Sequence, residues 1–385
     1  MRLIPYALLA AALAAPAAAE TIQFSAFLKG EAGYGTNPHL RPGVTEGSGF
    51  GSATFTPRLF YQTARSNTSL EGEYSRQEYF GQFGSTDSLR ATLSRIDQLS
   101  AQLQSSLEAS YSTSNKVSLT DPSQLVDNDP LNIGRRTYRS TGQYSLQWQA
   151  SAKDQFSYGA QIAHLSYGSS EGTALGAASS PYTQISVNTG YNRTVDARTS
   201  VGLQATLSST KSKLYPDSRT VQPTLTIKHQ FNAVWTLDGH VGVVFQHVEG
   251  PFASSSTSLG YGVNLCGVYT RTHACISAQH ETSPSGYGSL RDITGLYATL
   301  SHDLTEHSRI NASASYSKSS ATGPEEPIVV PTSRALLTSL EYDRDLTERL
   351  SGGFGGTYQR RSSDVVGPGH AIAGTIHITA KLGRM

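Results

Sequence analysis

Pro181–Arg193 reads PYTQISVNTGYNR, and Thr199–Thr210, just beyond a short polar interruption, reads TSVGLQATLSST. In both stretches apolar and small polar residues alternate one by one. A side-chain period of two means an extended strand with one apolar and one wetted face. The same alternation returns in Thr220–His229 (TVQPTLTIKH), Val234–Gln246 (VWTLDGHVGVVFQ) and Ala371–Lys381 (AIAGTIHITAK). No ten-residue amphipathic helix competes with it beyond the first residues. Strands therefore follow one another from the start of the mature chain to its end.

The chain opens on a different pattern. Arg2 supplies a positive start, Leu3–Ala15 (LIPYALLAAALAA) an apolar run, and Ala17–Ala19 a small-residue cleavage site. This reads as a secretion signal over residues 1–19, with residues 20–385 as the mature protein. The apolar run is short for a membrane anchor, and no later run of about 18 apolar residues occurs. A helical membrane protein is excluded. Period-two strands behind an export signal predict an all-β fold, a single antiparallel transmembrane β-barrel of the outer membrane of a Gram-negative bacterium.

Charged residues make up only 15% of the chain, with 30 Lys and Arg against 29 Asp and Glu. A balance near neutrality gives no reason to expect a nucleic-acid partner. Arg outnumbers Lys 22 to 8. Base composition of the genome explains this as well as arginines placed in a lumen or on a lipopolysaccharide-facing rim, where the guanidinium binds phosphate and carboxylate bidentately.

Barrels of this kind have short periplasmic turns and longer outer loops. Tight turns are expected near Ala64–Asn67, Ile96–Ser100, Ser151–Gln155, Val195–Arg198, Phe231–Val234, Thr270–His273, Leu304–His307 and Leu346–Arg349. They share a polar doublet, often with Asp, between apolar residues. Longer Gly-, Ser-, Asn- and Pro-rich loops are expected at Thr36–Ser48, Gly81–Ser88, Ser114–Gly134, Gly168–Pro181, Lys213–Arg219, Val248–Ser256, Glu281–Asp292, Lys318–Ser333 and Ser362–His370. With a first strand at Thr21–Tyr34 and a last at His370–Lys381, this layout predicts about 18 strands, within 16–18. A wall that wide leaves an interior its side chains cannot fill. The longest outer loop, Ser114–Gly134, is the expected constriction.

Aromatic residues sort into two levels. Trp148, Trp235, Tyr61, Phe156, Tyr191, Phe231, Tyr269 and Tyr342 sit close to predicted turns; Tyr74, Tyr111, Tyr138, Tyr167, Tyr316 and Tyr358 lie higher on their strands. The separation matches an apolar band between two girdles, on the order of 25 Å tall. Leu107, Ile185, Val187, Leu203, Leu225, Ile227, Val241, Ile376 and Ile378 are assigned to lipid. Glu71, Glu73, Gln143, Asn188, Asp238, Asn264, Glu341 and His377 are assigned to the lumen. A lumenal path for cargo is expected along Arg58, Arg90, Arg139, Lys228, His240 and Arg361.

The two cysteines, Cys266 and Cys275, flank the turn at Tyr269–His273 and face each other on one side of a hairpin. A disulfide and a pair of free thiols both fit. Other motifs carry less. Asp238, His240 and a wall serine such as Ser208 lack any nucleophile elbow, so no catalysis is read from them. Asp121, Asp127 and Asp129 lack calcium-loop spacing. The glycines of Gly352–Gly356 (GGFGG) fall within a strand and mark a bend or a close backbone approach. No metal and no cofactor is predicted.

Pro57–Phe80 (PRLFYQTARSNTSLEGEYSRQEYF) and Ser88–Ser112 (SLRATLSRIDQLSAQLQSSLEASYS) resemble the outer-membrane β-barrel porin type 2 family, some members of which accompany exopolysaccharide gene clusters. The resemblance is sharp only in this first third. It implies an outer-membrane barrel, a channel, and no catalytic residues. The chain departs from many barrels in ending Leu382-Gly383-Arg384-Met385 rather than on an aromatic residue. Three functions compete: a passive or polysaccharide-exporting channel, a structural or adhesive barrel acting through its outer loops, and a lipid hydrolase. Expected partners are outer-membrane lipid, lipopolysaccharide, the barrel assembly machinery, and a polysaccharide or small-solute cargo. Oligomeric state is not legible.

Overall fold

Alternation along the chain becomes alternation across a wall. The computed structural model describes residues 21–81, 83–115, 136–168, 180–214, 216–250, 253–284, 290–321, 332–364 and 367–383. They form one 18-stranded antiparallel sheet. The strands are β1 (Thr21–Thr36), β2 (Gly47–Gln62), β3 (Ser66–Tyr79), β4 (Ser85–Ser100), β5 (Leu103–Ser114), β6 (Thr137–Gln149), β7 (Asp154–Tyr167), β8 (Tyr182–Thr194), β9 (Thr199–Ser212), β10 (Ser218–Gln230), β11 (Trp235–Val248), β12 (Ser254–Val268), β13 (Thr272–Pro284), β14 (Leu290–Thr305), β15 (Ser308–Ala321), β16 (Ser333–Thr347), β17 (Leu350–Ser363) and β18 (Gly369–Gly383). Each pairs with the next in sequence. Pairing of β1 with β18, from Ser25 opposite Gly383 to Gly35 opposite Ala373, closes the barrel and leaves no free edge.

The outer face is apolar. Ile185, Val187, Leu203, Leu225, Ile227, Val241, Leu259, Ile372, Ile376 and Ile378 are all exposed. Register keeps them on one side: Val187 opposes Leu207, Leu203 opposes Leu225, and Phe354 opposes Ile376. The opposite face is polar, and cross-strand hydroxyl pairs run along it. Ser106 meets Ser145 at 2.7 Å, Ser110 meets Thr141 at 2.6 Å, and Ser313 meets Ser339 at 2.7 Å. Such pairs satisfy small polar groups within the wall itself.

Near the short turns the aromatic residues meet one another. Trp148 stacks on Phe156 at 5.5 Å between ring centroids, and Phe156 continues to Tyr191 at 5.2 Å. The Trp235 indole N–H donates to the Tyr269 hydroxyl at 3.2 Å. Tyr111 and Tyr316 are exposed on the upper level. Tyr167 is a correction. Tyr138 points to lipid and pairs with Ser166, so Tyr167, one residue on, faces the lumen.

Several predicted boundaries also move. β4 continues through Ser100, so the turn lies at residues 101–102 rather than at Ile96–Ser100. The polar residues of SRIDQ misled because Arg95 holds Asp97 with two nitrogens on the outer face, within the strand near its turn end. β13 and β14 extend to Pro284 and from Leu290, which shortens the loop expected at Glu281–Asp292.

The turns explain their own composition. In most of them one side-chain oxygen near the start accepts backbone N–H bonds from the residues that reverse the chain. Asn232 Oδ1 accepts from Val234 at 2.8 Å and Trp235 at 2.9 Å. Thr63 accepts from Ser66, Ser151 from Asp154, and Thr347 from Leu350. Asp196 accepts from Arg198 at 2.7 Å, and that bond, helped by the Thr199 hydroxyl, holds its carboxyl below the usual carboxylate range. These are the Asx and Ser/Thr turn motifs, which need an oxygen at a fixed offset rather than a given charge.

Candidate functional site: the lumenal wall and the inward loop

The first outer loop, residues 37–46, folds into the barrel mouth. Leu40 is buried against Ala335, Leu337 and Ala371, all on lumenal positions of β16 and β18. This is the one buried apolar cluster among the described residues. Asn37 ties the loop down. Its side-chain amide donates to the carbonyls of Arg41 at 2.8 Å and His370 at 3.1 Å, and its oxygen accepts from the Arg41 backbone N–H at 2.8 Å. His39 Nε2 lies 3.1 Å from the Phe83 carbonyl, and its ring packs near Tyr79 and Phe83. Asn37 and Leu40 both hold positive φ, 43° and 53°. Asn tolerates this conformation; Leu rarely adopts it, and burial of its side chain offsets the strain. The Leu40 backbone also rests on Gly369, where a Cβ would lie 3.3 Å from Leu40 Cα.

Beneath the loop is a cavity of about 310 Å³. His39 and Tyr79 line it on the loop side, Glu31, Glu341, Gln359 and Thr375 on the wall side. The expected constriction, Ser114–Gly134, lies outside the described residues except at its first two positions. So do the Asp121, Asp127 and Asp129 cluster and the leader.

All six predicted path residues fall on the lumenal face, but they do not converge. Arg58 pairs with Glu71 at 3.1 Å and stands over the Phe27 ring at 5.1 Å. Arg90 opposes Glu73 in register. Arg139 opposes Ser112, well around the wall. Lys228 meets Asp238 at 3.7 Å, and His240 Nε2 lies 3.9 Å from Glu281. These last two share a wall recess of about 390 Å³ with Asn264 and Gln279. Arg361 is buried, 3% exposed, near the outer end of β17. The Ser208 hydroxyl bonds to Thr220, not to His240.

Cys266 and Cys275 are bonded to each other across the β12–β13 hairpin. They occupy directly paired lumenal positions.

A second constellation was not singled out from the sequence. Asp343 on β16 opposes Gly353 on β17, which opposes His377 on β18. Gly353 carries no side chain, so the His377 ring lies across it. A Cβ there would stand 2.8 Å from His377 Cε1 and 2.9 Å from Nε2. The ring reaches Asp343, with Nε2 2.8 Å from Oδ1. Its other nitrogen faces Glu341 at 3.6 Å. Asn311 Nδ2 donates to the second Asp343 oxygen at 3.2 Å. Lys29 stands 3.4 Å from Glu341 and 3.5 Å from Glu31. The visible sequence signal was GGFGG, read as a bend or a close backbone approach; what lies against Gly353 is the His377 side chain.

No family model matches the chain, and no curated protein matches it. Solved structures do. The FrpB iron transporter of Neisseria meningitidis (F5-1 variant, apoprotein form) superposes with a TM-score of 0.51 at 8% identity, covering 94% of this chain and 81% of that one. Its F3-3 variant gives 0.50 at 8%, with the same coverage. OccK2 of Pseudomonas aeruginosa in complex with glucuronate gives 0.49 at 11%, covering 95% and 99%. At such identities the likeness is one of fold alone, a closed antiparallel β-barrel.

Proposed function

We propose that this chain is a passive channel of the outer membrane for small hydrophilic solutes. The observation that carries the reading is the closed 18-strand wall, apolar outside and polar inside, narrowed by an inward loop that is bonded to the wall. A barrel of this width holds water or loop, since about eight strands already suffice to fill a lumen with side chains. Lumenal charges stand largely in opposed pairs: Arg58 with Glu71, Lys228 with Asp238, Lys29 with Glu31 and Glu341. Mixed pairs favour hydrated solutes of either sign with weak selectivity.

Orientation is supported on the outer surface. Lys318, Arg334, Arg360 and His370 are exposed on the apolar side of four adjacent strands near their outer ends, with Arg360 level with Leu336 and above Ile372. Such a rim suits the phosphates of lipopolysaccharide, which would put the long loops outside the cell.

An exporter of acidic polysaccharide would use the same lumen with Arg58, Arg90, Arg139 and Arg361 as its track. The pairing of Arg58 with Glu71 and the burial of Arg361 favour the small-solute reading.

Planar-bilayer recording of protein shown to be folded by heat-modifiable gel migration tests the proposal. Stepwise, ohmic conductance with weak ion preference is expected. Folded protein that gives no conductance steps would refute it and favour a barrel acting through its loops. A strong anion preference abolished by Arg58→Glu would favour the polysaccharide track.

A further inference from the structure

We propose that His377 and Glu341 form a lumenal binding site for a first-row divalent transition metal ion such as Zn2+. The ligand atoms of Glu341, Asp343 and His377 all lie within 4.8 Å of one another. Proximity alone would describe an ordinary ion-pair cluster. The further observation is the state of His377. Its side chain is 3% exposed, and Nδ1 is buried with no hydrogen-bond partner. Buried polar atoms are nearly always satisfied, so this nitrogen requires a partner.

The neighbouring groups say what kind. Asp343 takes Nε2 at 2.8 Å and is itself held by Asn311. A carboxylate on one imidazole nitrogen places the proton there and turns the lone pair of the other toward a metal. Nδ1 then faces Glu341 Oε1 across 3.6 Å, too wide for a hydrogen bond. Two ligands at about 2.0–2.1 Å from a tetrahedral ion stand roughly 3.3 Å apart, which is close to that gap. An imidazole nitrogen with a carboxylate oxygen suits zinc and its neighbours rather than magnesium or calcium. Glu341 also faces the cavity under the first loop, which gives an ion a way in and leaves room for water ligands. The ammonium of Lys29, 3.4 Å from Glu341, is the resident cation that the metal would displace. Asp343 is a positioning residue here, acting through the His377 ring.

The test is direct binding of Zn2+ to the folded full-length barrel in detergent micelles, followed by calorimetry in excess Mg2+. One Zn2+ per barrel, removed by a chelator, is expected. His377→Gln should abolish that site. Asp343→Asn should weaken it by about 10–100-fold, the usual cost of losing an outer partner of a metal-bound histidine. Glu341 is only partly buried, so Glu341→Gln decides the matter if the His377 variant does not fold. Absence of stoichiometric Zn2+ binding would overturn the proposal and leave His377 as a wall residue held by Asp343 alone. So would binding that survives both His377→Gln and Glu341→Gln. Because the readout is binding, a barrel that fails to conduct leaves this inference untouched.

Discussion

At the scale of single residues, the wall is shaped as much by missing side chains as by present ones. Gly353 and Gly355 leave a bare track on the lumenal face of β17, and His377 lies in it. Gly356, one position on, faces lipid, and a Cβ there would meet only the Ala373 carbonyl at 3.7 Å. The two glycines should therefore answer differently to the same change. Gly353→Ala is expected to destabilise the folded barrel by about 1–3 kcal/mol, because the added methyl would meet the Tyr342 backbone carbonyl first and the His377 ring next. Gly356→Ala should be neutral or slightly stabilising, since Gly is entropically costly in a strand. Urea unfolding in lipid vesicles measures both; equal losses would contradict this account. GGFGG was legible as a bend or a close approach, the two common uses of glycine inside a strand. That the approaching group was a histidine 24 positions along the chain was not.

At the scale of elements, turns and loops differ in what holds them. A short turn is closed by a side chain of its own, as Asn232 shows with two backbone N–H bonds, so its position is written locally. The first outer loop is held instead by residues far away in sequence: Leu40 by Ala335, Leu337 and Ala371, and Asn37 by the His370 carbonyl. Leu40→Ala should remove about 2–5 kcal/mol of that anchoring, the range for a buried Leu truncated in a packed site. The barrel itself, built on strand pairing, should remain folded. Faster proteolysis within residues 37–46, together with noisier or larger single-channel currents, is the expected outcome. Unchanged cleavage and current would mean that Leu40 does not secure the loop. The one signal available beforehand was an isolated Leu in the polar stretch TNPHLRPGV, which length ranking of loops passed over.

At the scale of the whole molecule, stability depends on which solvent each face meets. Thr206 and Leu207 are adjacent on β9, opposite Gln222 and Val221 on the next strand. Leu207 is 50% exposed on the apolar side. Leu207→Arg should cost about 2–4 kcal/mol, as for a cation near the bilayer midplane, whereas Thr206→Arg in the hydrated lumen should cost little. Folding titrations in vesicles of defined lipid compare them. A reversed order would mean the wall is inside out.

The sequence by itself determined the strands, their number to within 16–18, the alternation of apolar and polar faces along them, and the place of most of the turns. Each of these follows from period-two alternation and short-range turn chemistry, which act within a few residues. Tyr167 escaped because facing is decided by register rather than residue type. Tertiary structure alone decided which loop enters the mouth. It alone set Asp343, Gly353 and His377 in one row across three strands. Those outcomes depend on the register in which distant strands pair as the barrel closes, and no local pattern encodes that.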